Sequence, residues 1–372
     1  MSFSEQLSKE MNKTLHKVGY TQPTPIQEQT LSPLLERKDL IGLAQTGTGK
    51  TAAFMIPILE NIFAPSKKVQ AIILCPTREL AMQTAKVATE LSAHMRDVRT
   101  VSVYGGQPAG IQIKALRAGA QIVVGTPGRL KDLIKRNVLK LKNVNTVVMD
   151  EADEMLDFGF RDDMKEILSS VPKERQTMLF SATMNKEVTA IAKQFQNDPV
   201  RIKIGEQNSP VDTIAQAYMQ TSRKSNAVCG LIKTHGPRLT LVFCNTKRKV
   251  KELQKELYGR GLASACLHGD MRQRERDTIM NTFRKGRTKV LIATDVAARG
   301  IDVDHIDMVI NYDVPDKPDY YIHRIGRTGR AGNDGKAFTL ITPREHGKIK
   351  DLERKLHIKL SREKNDEEAK AV

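Results

Sequence analysis

Short apolar runs alternate with longer stretches of helical period along most of this chain. In the first part the runs are Asp39–Leu43, Gln70–Cys75, Thr100–Tyr104, Gln121–Gly125, Thr146–Asp150 and Thr177–Phe180. In the second they are Leu239–Cys244, Ala263–Leu267, Lys289–Thr294, Met308–Tyr312 and Ala337–Thr342. Most are rich in Val and Ile, and many stop at Gly, Pro or Thr. Segments with helical spacing, such as Arg78–Ser92 and Lys247–Gly259, lie between them. Continuous apolar strands alternating with helices predict a parallel sheet covered on both faces. The pattern occurs twice, which predicts an α/β chain of two such domains. A polar, Gly- and Pro-bearing stretch around residues 204–211 separates them, as a hinge linker would. The segment from Ser361 on has almost no apolar residues and is expected to be disordered.

Length and charge sharpen this picture. A chain of 372 residues exceeds what one core usually spans. Its formal net charge is +17; both halves are basic, the second the more so. That suits a polyanionic partner, although a merely soluble basic protein would carry the same excess. No apolar run is long enough to cross a bilayer, and the opening MSFSEQLSKE has no signal-peptide pattern, so a cytoplasmic protein without a membrane partner is expected. Cys75, Cys229, Cys244 and Cys266 form no CxxC pair; they read as reduced thiols, and a zinc site is not expected.

Two elements carry recognisable chemistry. Residues 44–51 read Ala-Gln-Thr-Gly-Thr-Gly-Lys-Thr, between the strand at Asp39–Leu43 and the helical stretch Ala52–Asn61. A strand, a glycine loop and a helix start together make a phosphate-binding loop. Thr46, Gly47, Thr48 and Gly49 supply the loop backbone, Lys50 reaches the β- and γ-phosphates, and Thr51 ligates Mg²⁺. Ala44 stands where the general pattern has Gly. The second element ends the run Thr146–Met149 with Asp150-Glu151-Ala152-Asp153. A carboxylate at the carboxyl edge of a sheet is placed to hold the metal (Asp150), and its neighbour to orient or deprotonate the attacking water (Glu151). Alone, the quartet reads more readily as an acidic helix start favoured by the macrodipole; paired with the loop at 44–51 it reads as the metal element.

Together these motifs resemble the DEAD-box family of superfamily 2 RNA helicases, in the form of a bacterial-type minimal helicase core. The resemblance runs from about Phe3 to Leu360. It implies two tandem RecA-like domains joined by a short flexible linker. The expected division is an N-terminal ATP-binding domain with an adenine-recognition segment (residues 1–205), a linker (206–213), a C-terminal helicase domain (214–360) and a polar tail (361–372).

Gly19-Tyr20-Thr-Gln-Pro-Thr-Pro-Ile-Gln27 resembles the family's adenine-recognition element. Gln27 would pair with the base, Tyr20 would stack on it, and Phe3 would pack beneath. Pro76-Thr77-Arg78, Gly105-Gly106 and Thr126-Pro127-Gly128-Arg129 resemble RNA-facing motifs of the first domain, as do Thr246, Thr294 and Gly300 in the second. Ser181, Thr183 and His323 would couple the domains, and Asp302 would accept a hydrogen bond from the ATP ribose. In His323–Arg330, glycines at 326 and 329 make a poor plain helix. They suit a bent backbone that aims Arg327 and Arg330 at the phosphates as arginine fingers. The helical stretch Leu130–Arg136 would bend one RNA strand.

The resemblance therefore implies an ATP hydrolase and RNA helicase that uses ATP and Mg²⁺. It would act on single-stranded RNA and short duplexes with little sequence preference and a strong salt dependence. Protein partners in RNA decay or ribosome assembly are compatible with it. Three other readings stand beside it: a DNA translocase of the same superfamily, a non-catalytic ATP-gated RNA clamp, and an unrelated phosphate-loop ATPase. The complete catalytic motifs speak against the second, and the acidic quartet with the His323–Arg330 run against the third.

Overall fold

The computed structural model describes residues 2–45, 47–205, 214–298, 303, 306–329 and 334–363. Thr46, Gly300, Asp302, Arg330, the linker 206–213 and the tail from 364 lie outside the described residues. The chain divides into two compact units, Met1–Gln207 and Asn208–Val372.

The first unit builds a sheet from β1 (Leu40–Leu43), β2 (Ala71–Leu74), β3 (Thr100–Val103), β4 (Ile122–Gly125), β5 (Thr146–Met149), β6 (Gln176–Ser181) and β7 (Val200–Lys203). Its helices are α1 (Lys9–Lys17), α2 (Pro25–Leu35), α3 (Lys50–Glu60), α4 (Arg78–Leu91), α5 (Ala109–Arg117), α6 (Pro127–Lys135), α7 (Ala152–Asp157), α8 (Arg161–Ser170) and α9 (Lys186–Phe195). The strand order is β3-β4-β2-β5-β6-β1-β7, every pair parallel. The inner strands are buried on both faces, which is why they read as unbroken apolar runs. One face packs Ile73, Val124, Val148 and Phe180 under α2, α3 and α4; the other packs Ile72, Val123, Val147 and Leu179 under α6, α8 and α9.

The second unit contains β8 (Ile214–Gln220), β9 (Thr240–Phe243), β10 (Ala265–Leu267), β11 (Val290–Ala293), β12 (Met308–Asn311), β13 (Gly335–Ile341) and β14 (Ser361–Arg362). Its helices are α10 (Lys224–His235), α11 (Lys247–Gly259), α12 (Gln273–Arg284), α13 (Asp295–Ala298), α14 (Pro318–Ile325) and α15 (His346–Leu356). The order β10-β11-β9-β12-β13-β8-β14 repeats the threading of the first sheet strand for strand, again all parallel. These are the two parallel, helix-flanked sheets of tandem RecA-like domains.

The strands differ from the sequence expectation at three places. β7, β8 and β14 were not among the apolar runs. β8 reads Ile-Ala-Gln-Ala-Tyr-Met-Gln and alternates between buried and exposed positions, with little Val or Ile to mark it. Ser361 and Arg362, assigned to the disordered tail, instead pair with Ala217 and Tyr218 of β8. The Ser361 hydroxyl also donates to the Gln216 carbonyl at 3.0 Å.

Candidate functional site

In the first unit the loops at the carboxyl ends of β1 to β6, with the helix starts that follow them, hold the described site residues expected of that half, except Tyr20 and Gln27, which precede β1. That edge is where ligands bind in open parallel sheets. Helix α3 begins at Lys50, capped by Gly49 in the left-handed region (φ 91°). A side chain at Gly49 would lie 2.4 Å from Gln27 Nε2, so glycine is required both by conformation and by space. Lys50 is buried and donates to the Ala44 carbonyl at 2.7 Å. The Thr48 hydroxyl closes the loop by donating to the Gln45 carbonyl at 2.8 Å. Thr51 is the second residue of α3 and half-buried.

Gln27, Tyr20 and the phosphate loop form one assembly. Gln27 Nε2 donates to the Tyr20 hydroxyl and to the Gly49 carbonyl, both at 3.0 Å. Its Oε1 accepts from the Thr24 backbone at 2.9 Å. Both N–H groups of the amide are thus engaged within the protein, so donating to a base requires exchanging one of these bonds, whereas Oε1 keeps a second lone pair to accept with. Burial pushes the Tyr20 hydroxyl pKa up, against the opposing effect of the Gln27 bond. Phe3 packs at the margin of the same core, and with Tyr20 and Pro23 it lines a cavity of about 470 Å³.

The acidic quartet begins where β5 ends. Asp150 is 2% exposed, and its Oδ1 has no hydrogen-bond partner among the described residues. Burial pushes its pKa up to about 7; Lys50 opposes this, while Glu151 and Asp153 add to it. An orphan buried carboxylate oxygen across from a lysine fits a hard cation shared with phosphate. Among the described residues no group of three or more His, Cys, Asp or Glu could hold a metal unaided. The fit is therefore to a cation that takes phosphate and water as its remaining ligands. Glu151 sits in the left-handed region (φ 52°, ψ 54°), a strain on the order of 1–3 kcal/mol for a non-glycine residue. Asp153 Oδ2 accepts from the Thr183 N–H at 2.9 Å and from the Thr183 hydroxyl at 3.0 Å. The Ser181 hydroxyl donates to the Thr183 carbonyl at 2.7 Å. The quartet and the segment after β6 are therefore one hydrogen-bonded body.

The expected RNA-facing residues of this unit share the same edge. Thr77 is buried, and its hydroxyl caps α4 by accepting from the Leu80 N–H at 3.2 Å. Pro76 is buried beside it, and Thr126 is the N-cap of α6. The Arg78 guanidinium lies against Gly105 and Gly106: a side chain at Gly106 would come within 2.1 Å of it. Gly128 is exposed. Arg129 donates to Gln112 Oε1 at 2.9 Å and to the Gln107 carbonyl at 3.2 Å, which ties α6 to α5 and to the loop after β3. Helix α6 is braced on α8 by Lys131–Asp163 (2.6 Å) and Lys135–Glu166 (2.9 Å).

In the second unit, Thr246 is exposed and caps α11, its hydroxyl accepting from the Lys249 N–H at 3.3 Å. Thr294 starts α13 at the end of β11, its carbonyl accepting from Ala297 and Ala298. His323 is half-buried on α14. Arg327 is buried, and its Nε donates to the His323 carbonyl at 3.2 Å. At the centre of this edge is Arg324, 1% exposed. It donates to Asp295 (2.6 and 2.7 Å), Asn245 (2.7 Å), Asn311 (3.4 Å) and the Asp313 carbonyl (2.7 Å), so all five of its N–H donors are matched.

A family model described as DEAD/DEAH box helicase matches residues 24–191, and one described as helicase conserved C-terminal domain matches residues 223–332. The chain is 47% identical over 360 residues to the DEAD-box ATP-dependent RNA helicase CshA of Bacillus subtilis, covering 96% of this chain and 73% of that protein. It is 46% identical to the CshA of Geobacillus kaustophilus, covering 96% and 77%. This chain belongs to the DEAD-box helicase family. Among solved DEAD-box structures, Saccharomyces cerevisiae Dbp5 bound to RNA and ADP BeF3 is similar to it with a TM-score of 0.88 at 33% identity, covering 100% of this chain and 97% of that one. Mss116 bound to ssRNA and UDP-BeF is similar with a TM-score of 0.88 at 29% identity, covering 98% and 80%.

Sequence reasoning passed over one member of this DEAD-box site. Arg324 lies within the His323–Arg330 run without a role of its own in the sequence reading, yet it locks together the ends of β9, β11 and β12. A signal for it was present: Asn245, Asp295 and Asp313 all follow apolar strands that stop at one edge, and such a set of acceptors requires a buried cation.

Proposed function

We propose that this chain is an ATP-dependent RNA helicase in which RNA-stimulated ATP hydrolysis drives closure of the two domains and local, non-processive separation of RNA duplexes. The observation that carries the reading is the facing of Lys50 and Asp150: a buried lysine at a helix start and a buried carboxylate with an orphan oxygen. Thr51 and Asp150 would hold Mg²⁺, which when bound neutralises charge on the phosphates. Lys50 binds the β- and γ-phosphates. Glu151 orients the attacking water and takes its proton as the oxygen–phosphorus bond forms and the bond to the β-phosphate breaks. Arg327 and Arg330 stabilise the transferring phosphoryl group, a contribution of roughly 10³–10⁵ in rate for such arginines.

The division of these groups between two units supports the closure part of the proposal. ATP and RNA would then each favour the closed state and each other's binding. Helix α6, braced on α8, is rigid enough to bend an RNA strand held beside it. The four free cysteines agree with work in the cytoplasm, the compartment we propose. The relatives named above are RNA helicases by description, so RNA is the proposed substrate. The test is the ATPase rate alone, with RNA, and with DNA of equal length. Stimulation by RNA is expected; equal stimulation by DNA would overturn the substrate. A strand-displacement assay comparing wild type with Glu151→Gln tests duplex separation, which the variant should lack.

A further inference from the structure

Helix α11 carries a feature that the core site does not use. Lys247, Lys251, Lys255 and Tyr258 fall on one side of it, with successive residues one turn apart, and all are exposed. The buried side of the same helix is Val250, Leu253 and Leu257. The stripe spans roughly 16 Å, starting beside Thr246.

Lys247 pairs with Asp270 at 3.0 Å, whereas no ion pair joins Lys251 or Lys255 among the described residues. Three lysines at successive i,i+4 positions repel one another by a few tenths of a kcal/mol per pair. Glu252 and Glu256 lie on the opposite flank, and Glu252 answers Arg248. A helix selected only for solubility would alternate signs along the stripe. At its far end Tyr258 is 79% exposed, the most exposed of the large hydrophobic side chains described. Cations at helical-turn spacing that end in a solvated aromatic ring suit a sugar-phosphate chain with an unstacked base.

We propose that this stripe is an auxiliary track for single-stranded RNA, extending the grip of the second domain from Thr246 along α11. The inference rests on the RNA reading of Thr246 given above. Phosphates follow Lys247, Lys251 and Lys255, and a base stacks on Tyr258. The track lengthens the RNA footprint without adding sequence preference, because every base has a π-face.

The test uses the full chain carrying Lys251→Gln, Lys255→Gln and Tyr258→Ala together. These are exposed helix positions, and glutamine keeps the helix propensity of lysine. Fluorescent oligouridylates of two lengths, about 6 and about 20 nucleotides, serve as probes in the presence of an ATP analogue. The variant should bind the short RNA, and show ATPase stimulation by it, within about twofold of wild type. Its affinity for the long RNA should fall about tenfold at low salt, and the slope of log K against log salt should shrink by about 1.4, two phosphate contacts' worth. Unchanged binding of the long RNA would overturn the track, and so would an equal loss on both lengths. Wild-type protein that ignores the short RNA would overturn the core reading instead, and a long-RNA loss in the variant would still support the track.

Discussion

The two sheets share one strand order, and in each the first strand leads into a helix whose first residue is a lysine: Lys50 on α3 and Lys224 on α10. From there the edges diverge. Lys50 has one described acceptor, the Ala44 carbonyl, and faces a carboxylate with an orphan oxygen. Lys224 is better answered: it donates to the carboxylate Glu345 Oε2 and to the Tyr312 carbonyl, both at 3.0 Å. The acid of each edge follows suit. Asp150 is left short of partners, whereas Asp313 receives Lys249 at 2.6 Å and the Asn245 N–H at 3.0 Å. The same framework thus makes a ligand site in one unit and an internally neutralised edge in the other. Burial alone does not mark function; a buried charge whose hydrogen-bonding capacity is unfilled does.

Exchanging the roles of the two lysines should give the largest contrast. Lys50→Ala is expected to lower ATP turnover on the order of 10³-fold or more, with RNA binding partly retained. Its folding stability should change little, since one backbone bond is lost and a buried charge is removed. Lys224→Ala is expected to keep turnover within about threefold. Steady-state ATPase assays on both variants decide this; comparable losses would erase the contrast. Next in size is Arg324→Ala, which leaves the partly buried Asp295 without its cation and the acceptors at Asn245 and Asp313 without their buried donor, and should cost about 3–5 kcal/mol. Circular dichroism in urea would read this as a midpoint lowered on the order of 1 M, and an unchanged midpoint would show that the five bonds are dispensable.

These contrasts also explain what could be read from sequence. Lys50, Thr51, Asp150 and Glu151 were legible because each motif is local: a strand, a few residues, a helix start. The alternation of β and α segments likewise exposed most of both sheets, since most inner strands are largely apolar, whereas β8, an inner strand with little Val or Ile, escaped it. Arg324 was not legible, because its partners Asn245, Asp295 and Asp313 come from separate strand ends brought together only by the fold. Lys224 lacked any local sign of Glu345, which lies 121 positions away. Gln27 shows a subtler limit. Its position was anticipated, but its bonds to Tyr20 and to Gly49 depend on how closely α2 approaches the phosphate loop.

That approach can be tested at Gly49, which has no counterpart in the short turn before Lys224. Gly49→Ala places a methyl group at a positive φ and against Gln27 Nε2. A cost of about 1–3 kcal/mol is expected from the backbone alone. Because the displaced amide belongs to the proposed adenine element, KM for ATP should rise more than kcat falls. A pure stability loss with unchanged KM would separate Gln27 from nucleotide binding.

The smallest expected effect lies at the neutralised edge and depends on pH. Burial raises the pKa of the Glu345 carboxyl, but the Thr342 N–H and Lys224 more than offset it and hold it down at about 2, against an ordinary 4.5. A carboxylate whose pKa is depressed by folding contributes stability that is present above its unfolded value and is lost as pH falls through the folded one. The contribution should therefore be intact above pH 4.5 and fade toward pH 2, on the order of 1 kcal/mol once solvent screening is allowed for. Urea midpoints measured across that interval should fall more steeply for wild type than for Glu345→Gln. Parallel curves would show that Lys224 is held by the Tyr312 carbonyl alone, and the second unit's lysine would then be nearly as open to an anion as Lys50.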